Sequence, residues 1–203
     1  LYGNGSTLTY VGSSTDEFVI TVGNNENPTV ALDNMTKLGI FNITINCNYL
    51  ANGIKISGVS ANVLNANVFK AKSIGIKVYD GTKPSDANLV NIRVYNELDK
   101  PHILATGIEL NGTDNMLRGI RTFGCLRSIV IKGGGNQIES IHTLAFPSTV
   151  DGWIDSCGID IKSSSNIIHN AYFDNSRYGI FISSEFQLSE LSDLYYYCWE
   201  TEN

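Results

Sequence analysis

Charged residues are scarce in this chain, and acidic ones outnumber basic ones. Asp, Glu, Lys and Arg make up 17% of the 203 residues, and the formal net charge is −6. A nucleic-acid-binding protein normally carries a basic patch, so this composition argues against that class. A surface with so little charge must be made polar by Asn, Ser and Thr, and these residues favour turns over exposed helix faces.

Long apolar runs and paired cysteine motifs are also missing. No run of roughly 18 apolar residues is present, so no insertion into a membrane is expected. The four cysteines lie far apart, without a Cys-x-x-Cys motif and without a histidine at metal-ligand spacing. Free buried thiols are therefore predicted in preference to a disulfide framework or a metal site, and no cofactor is expected. The cysteines are Cys47, Cys125, Cys157 and Cys198.

What the sequence does contain is an internal repeat. A four-residue pattern of the type Gly-Ile-x-Ile recurs along the chain, with small variations at its first and last positions. The spacing corresponds to a unit of about 21 residues, with roughly ten extra residues in alternate copies. The copies are GIKI at 53, GIKV at 75, GIEL at 107, SIVI at 128, GIDI at 158 and GIFI at 179.

Each copy is followed by a second apolar segment that opens with asparagine. Period-2 alternation predicts two short strands per unit, joined by a turn. Because an amide side chain both donates and accepts hydrogen bonds, asparagines of successive units are predicted to stack on one another at the turns. A structural role is therefore expected for them rather than a binding role. They are Asn62, Asn88, Asn115, Asn136 and Asn166.

A unit this short cannot bury its apolar side alone, but parallel stacked units bury a continuous column. A unit of about 21 residues leaves no room for the helix that a TIM barrel or a Rossmann fold places between strands. Recurrent β-branched residues, Asn and Gly argue against a helical protein, and the residue order of leucine-rich repeats is not seen. The sequence therefore predicts an all-β fold, a single-stranded parallel β-helix. One domain is expected over 1–203, with the first coils in 1–52, regular coils in 53–185 and a last coil or exit segment in 186–203.

The opening segment LYGNGSTLTY, the Gly-Ile-x-Ile coils and the Asn-rich turns together resemble the pectate-lyase-like superfamily of right-handed β-helices. Within it, the low charge, the irregular connectors and the aromatic ending DLYYYCWETEN are most similar to bacteriophage tail spikes and appendage proteins. No catalytic motif of the superfamily is matched residue by residue, and the clustered Asp residues of the pectate lyase calcium site have no clear counterpart. Because the chain begins with Leu1 and shows no signal peptide, it is expected to be a piece of a longer protein.

This resemblance implies a homotrimer that is part of the virion or otherwise extracellular. Such proteins bind cell-surface polysaccharide or teichoic acid and often cleave it. The fold by itself does not decide between binding and cleavage, because β-helices also serve as adhesins, epimerases and spacers.

Two connectors, 96–106 and 145–157, are much longer than the others, and the coil between them has only the short segment 124–127. Both are expected to leave the β-helix at the same corner and to form the walls of a groove, where functional residues tend to lie. Trp153 is a candidate for stacking on a sugar ring, or alternatively a cap on the coil. Arg127 on the groove floor suits a carboxylate or a phosphate. The predicted substrate-binding residues are Trp153, Arg127, His102 and Asp151.

Glu109 and Asp160 are the candidate catalytic pair, because each follows one of these long connectors and points away from the core. Two coils separate them, which places their backbones roughly 9.5 Å apart. Inverting glycosidases hold their two carboxyl groups about 6.5–9.5 Å apart. Asp155 is the alternative partner for Asp160. Exposed acids that only keep the protein soluble are the competing interpretation.

Three functions remain open from the sequence. The first is a depolymerase that hydrolyses a cell-surface glycan or teichoic acid, and the second is a receptor-binding β-helix without chemistry. The third is a structural spacer within a fibre. A polysaccharide lyase is a variant of the first and would need a base such as Lys100 or His102. The hydrolase hypothesis requires Glu109, Asp155 and Asp160 to converge on one groove within about 10 Å.

Overall fold

The computed structural model describes residues 1–23, 39–57, 60–78, 86–97, 106–145, 153–182 and 190–197. These residues form sixteen β-strands and one short 3-10 helix at Trp153–Asp155, and they contain no α-helix. The strands are β1 (Thr7–Thr9), β2 (Phe18–Val22), β3 (Gly39–Asn46), β4 (Asn52–Ile56), β5 (Asn62–Phe69), β6 (Ile74–Val78), β7 (Asn88–Val90), β8 (Arg93–Tyr95), β9 (Thr106–Leu110), β10 (Met116–Phe123), β11 (Arg127–Ile131), β12 (Gln137–Leu144), β13 (Cys157–Ile161), β14 (Ile167–Asp174), β15 (Tyr178–Ile182) and β16 (Glu190–Tyr197).

Successive strands alternate between two sheets, except that β7 and β8 both belong to the nine-strand sheet, and the named strand pairs are all parallel. A nine-strand sheet runs in the order β1-β3-β5-β7-β10-β12-β14-β16, with β8 beside β5 and β10. A seven-strand sheet runs in the order β2-β4-β6-β9-β11-β13-β15. Each time the chain returns to a sheet, it forms the next strand along that sheet. The arrangement is therefore consistent with a parallel β-helix or solenoid. The predicted all-β architecture with parallel, stacked strands is confirmed. No helix in this part of the chain is long and apolar enough to cross a membrane.

The Gly-Ile-x-Ile copies form the seven-strand sheet in register with one another. Ile108, for example, pairs with Ile76 on one side and with Ile129 on the other. The first and last apolar residues of each copy point inward, while the residue between them points out; these inward residues are buried in every copy but the last, where Ile180 and Ile182 are half-buried. The glycine is needed where copies approach closely, because a Cβ on Gly107 would lie 2.5 Å from the carbonyl oxygen of Ser128.

The long strands of the nine-strand sheet change direction at a left-handed residue in their middle. In β5, the inward residues are Val63, Ala66 and Val68, so the alternation slips by one residue at Asn65, whose φ is 54°. Asn and Gly adopt this conformation at little cost. The slip lets both halves of each strand bury apolar side chains on the same column. Equivalent positions with positive φ are Asn42, Asn65, Asn91, Gly119, Ser140, Asn170 and Asp193.

A buried asparagine ladder closes the turn before the nine-strand sheet. Asn115 donates from Nδ2 to Oδ1 of Asn136 at 2.8 Å, and Asn136 donates to Oδ1 of Asn166 at 2.9 Å. All three are at most 1% exposed. Stacking was predicted for five asparagines, but Asn62 and Asn88 are not part of this ladder. Asn88 pairs with Met116, the residue after Asn115, so these two asparagines lie one residue later in the strand register. They form their own contact, with 3.3 Å from Nδ2 of Asn88 to Oδ1 of Asn62.

The cysteines in this part of the chain are buried. Cys47, Cys125 and Cys157 are free thiols, as predicted, and Cys198 lies outside the described residues. Burial raises the pKa of the Cys125 thiol to about 12.

Candidate functional site

The residue between the two isoleucines of each copy forms a ladder on the outer face of the seven-strand sheet. Although its members point away from the core, the acidic ones are covered: Glu109 is 8% exposed and Asp160 is 1% exposed. Phe181, at the end of the ladder, is 48% exposed. Its successive members are Thr21, Lys55, Lys77, Glu109, Val130, Asp160 and Phe181.

Asp160 is a buried carboxylate with two cationic neighbours and one oxygen left over. Its Oδ2 accepts a hydrogen bond from the guanidinium of Arg127 and lies 3.5 Å from Nζ of Lys162. Its Oδ1 is buried, and no donor among the described residues reaches it. A buried polar atom without a partner is costly in a folded protein. Asp160 is therefore not satisfied by the fold alone.

A cavity of about 280 Å³ opens over Asp160 on this face. It brings together Asp155, Asp160 and Arg127, three of the residues predicted from the sequence, because the end of the long connector folds back over β11 and β13. The cavity therefore offers two carboxylates, two guanidinium groups and two aromatic rings. Its lining residues are Arg127, Ile154, Asp155, Cys157, Asp160, Arg177, Tyr178 and Phe181.

Two lining residues, Arg177 and Tyr178, were missed by the sequence analysis. Tyr178 pairs with Cys157 in the next strand, which places it directly beside the cavity. Arg177 precedes it and lies 5.3 Å from the Tyr178 ring centroid in a cation–π contact. The spacing of the copies indicates both residues. Because β13 and β15 pair in register, the residues just before the Gly-Ile pattern of β15 lie beside those just before the pattern of β13, close to Asp160.

Cys157 lines the cavity but is a poor nucleophile. Burial and, to a lesser extent, the neighbouring Asp160 carboxylate raise the pKa of its thiol to about 12. Its Sγ donates to the carbonyl oxygen of Ile159 at 3.1 Å. The thiolate is the reactive form of cysteine, so covalent chemistry at this residue is disfavoured at neutral pH.

Glu109 and Trp153, two further candidates from the sequence, are not among the residues that line this cavity in the described part of the chain. Glu109 contacts Nζ of Lys132 at 3.0 Å and Nζ of Lys77 at 3.5 Å, and Val130 separates it from Asp160. Trp153 is half-buried, and its Nε1 donates to the carbonyl oxygen of Asn175 at 2.8 Å.

That hydrogen bond anchors the 3-10 helix to the coil, which is the geometry expected of a cap. The two other predicted binding residues, His102 and Asp151, lie outside the described residues.

The chemistry available in the cavity is that of polar, oxygen-rich ligands. Carboxylates accept hydrogen bonds from hydroxyl groups, guanidinium groups bind carboxylates or phosphates, and exposed rings such as Tyr178 stack on sugar faces. Within the described ranges, no group of three or more His, Cys, Asp or Glu side chains is placed to hold a metal ion.

Comparison of the chain with protein-family models, curated proteins and solved structures found no match. The side chains of the cavity are therefore the ground for assigning a function.

Proposed function

We propose that the chain is a β-helix that binds and hydrolyses a bacterial cell-surface polysaccharide or teichoic acid at the Asp160 cavity. The observation that carries the proposal is the environment of Asp160, a 1% exposed carboxylate with an unpartnered Oδ1 in a cavity that also contains Asp155. Although Oδ1 is enclosed, it keeps the capacity to accept a hydrogen bond from a substrate hydroxyl or a water molecule that enters the cavity. Two carboxylates and a bound water are the apparatus of glycoside hydrolysis.

The roles follow from the surroundings of the two acids. Asp160 faces Arg127 and Lys162, so its negative charge is compensated, and it is assigned the role of the base that activates water. Asp155 is exposed on the 3-10 helix at the rim, where it can reach a leaving-group oxygen and serve as the acid. Arg177 would bind an anionic group of the polymer. Glu109 lies outside the cavity, so the proposed pair is narrowed to Asp155 and Asp160.

The proposal extends to the type of β-helix. A right-handed, single-stranded β-helix of the pectate-lyase-like type, with coils of about 21 residues, fits the alternation of the chain between two parallel sheets. A homotrimer, as in the phage tail spikes that the sequence resembles, would cover the exposed side chains of β16. Leu194, Tyr195 and Tyr196 are 38%, 58% and 51% exposed there. The proposed location is accordingly the virion or the cell exterior.

Binding without cleavage is the second candidate. It is favoured by the ion pairs of Asp160, because a carboxylate paired with Arg127 can shape the cavity without taking part in any reaction. In that case the chain would be a receptor-binding β-helix or a spacer in a fibre.

The test is to incubate the protein with purified bacterial cell-wall polymer and to measure new reducing ends or released glycerol phosphate. Asp155→Asn and Asp160→Asn are expected to abolish release while keeping binding of the polymer. Glu139→Gln is the matched control, because it also removes a carboxylate that contacts an arginine, at 2.9 Å from Arg118, but on the other sheet. Thermal melting of each variant separates loss of activity from loss of folding.

Glu109→Gln tests the wider pair. If it abolishes release while Asp155→Asn does not, the acid partner of Asp160 is Glu109. Binding with no release by the unchanged protein contradicts hydrolysis and supports the receptor-binding candidate.

A further inference from the structure

Two arginines lie side by side on the nine-strand sheet, and neither has an acidic partner among the described residues. Arg93 in β8 pairs in register with Arg121 in β10, and both side chains are exposed. No ion pair or hydrogen bond of either guanidinium is formed with any described residue. Like charges directly opposite each other on adjacent strands are unfavourable.

The contrast with Arg118 shows that pairing is possible on this surface. Arg118 lies in the same strand as Arg121, and its Nε donates to Oε2 of Glu139 at 3.0 Å. The chain has more acidic than basic residues, 20 against 14. Two adjacent unpaired arginines in such a chain need another explanation.

The two arginines line a groove of about 400 Å³ whose other walls are amides. Asn91 donates to Asn65 at 3.1 Å, and the ladder of amides ends there because the next position is Gly119. A Cβ at Gly119 would lie 2.8 Å from Oδ1 of Asn91, so the absence of a side chain leaves that oxygen facing the groove. Amides that retain free donors and acceptors suit the hydroxyl groups of a sugar.

An aromatic stripe runs beside the arginines on the same outward face, two residues further along each strand. The rings of Phe69 and Tyr95 are stacked with centroids 5.2 Å apart, and those of Tyr95 and Phe123 with centroids 5.0 Å apart. All three are half-buried. Their exposed parts give a flat apolar surface next to the cationic groove, which matches the two faces of an acidic sugar ring.

From this combination we infer that the Arg93–Arg121 groove binds the carboxylate or sulfate groups of an acidic polysaccharide. The guanidinium groups bind the anion, the amides bind hydroxyls and the aromatic stripe contacts the ring. The amide walls and the neighbouring aromatic stripe favour a glycan over a run of acidic residues, which offers no ring to stack. The groove lies on the other sheet from Asp160 and needs no cleavage, so the inference is independent of the hydrolase proposal.

The experiment is isothermal titration calorimetry at low salt with a galacturonate oligosaccharide and with its methyl ester, in which the carboxylates are blocked. The unchanged protein is expected to bind the acid and not the ester. Arg93→Gln and Arg121→Gln should each raise the Kd about tenfold or more, because each removes a charge-assisted contact. Arg118→Gln is the matched control, with the same loss of charge on the same strand, and should leave the Kd unchanged.

Several results would overturn the inference. Equal weakening by Arg118→Gln would indicate non-specific attraction, and equal binding of the methyl ester would remove the role of the anion. If the protein binds neither the galacturonate nor a sulfated heparin oligosaccharide, an acidic glycan is excluded as the ligand. Tighter binding of a poly-glutamate peptide would reassign the groove to a protein partner. Release of reducing ends is assayed separately on the unchanged protein, so that failure of hydrolysis and failure of this groove are distinguished.

Discussion

Glu109 and Asp160 lie two strands apart on one outward ladder, and each buried carboxylate has two cationic neighbours of its own. Between them is Val130, 3% exposed, so the same ladder position accepts an apolar side chain. The two acids are therefore not required by the packing of the sheet. What differs between them is the cavity, because Asp160 lines it and has an unpartnered Oδ1, whereas Glu109 is not among its lining residues.

Arg127→Gln is expected to destabilise the protein more than Asp160→Val. The first change leaves the Asp160 carboxylate buried with only Lys162 at 3.5 Å, whereas the second copies the neighbouring Val130. Breaking a fully buried pair costs about 3–5 kcal/mol, and because Arg127 is partly exposed we expect about 2 kcal/mol. Urea denaturation measures both losses. A larger loss for Asp160→Val would show that the ion pair itself stabilises the fold.

Gly158→Ala is expected to destabilise the protein by about 1–3 kcal/mol through overpacking. The new methyl would lie 2.6 Å from the carbonyl oxygen of Gly179 and would also collide with the ring of Phe173. Phe173→Leu relieves the second clash, so the double variant should lose less stability than the sum of the single losses. The difference should exceed about 0.5 kcal/mol in a double-mutant cycle. Strict additivity would mean that the Phe173 ring is not what excludes the methyl.

Asn136→Ala is expected to cost about 3 kcal/mol, because it removes four hydrogen bonds of a buried ladder. Its Oδ1 accepts from both the backbone and the side chain of Asn115, and its Nδ2 donates to Gly133 and to Asn166. Asn67→Ala is the control, since Asn67 is half-buried and donates to Thr44 at 3.2 Å. Equal losses in urea denaturation would contradict a special contribution from the ladder.

The parallel architecture was predictable because the same residue types recur where they stack. Ile76, Ile108 and Ile129 occupy one row of the core, so the strand register could be predicted from the spacing of the copies. The mid-strand bend was not predictable in this way. Asn is the commonest residue in its row, but Gly119, Ser140 and Asp193 interrupt it, so no single residue type marks the bend along the sequence.

The site was predictable in part for a similar reason. The long connector that runs into β13 brings Asp155 to the cavity over Asp160, and the pairing of β11 with β13 places Arg127 beside it. The burial of the acids could not be foreseen from alternation, because an outward position is exposed only if nothing covers it. Arg177 was missed because it belongs to the next coil, where no pattern marks it.

The buried thiols predict how stability depends on pH. Burial raises the pKa of Cys125 to about 12, whereas an exposed thiol in the unfolded chain has a pKa of about 8.5. Above pH ~8.5 the unfolded chain releases this proton first, so the unfolded state binds fewer protons and stability falls as pH rises, by up to about 1.4 kcal/mol per pH unit. Stability from this thiol is fully present below pH ~8.5 and is lost progressively towards pH ~12.

Cys125→Ala removes this group and should make the fall in unfolding free energy between pH ~9 and pH ~11 shallower by up to that amount. Urea denaturation at a series of pH values measures the unfolding free energies of the two proteins. In their difference, the contributions of the other titrating groups cancel. Alkylation by iodoacetamide, located by peptide mass spectrometry, gives an independent reading, because the folded protein should protect Cys125 at pH ~9. Equal alkylation of folded and unfolded protein, or parallel pH curves for the two proteins, would contradict a protonated and enclosed thiol. The same comparison at Cys157 reports on the cavity, since a ligand that covers Asp160 should slow alkylation there further.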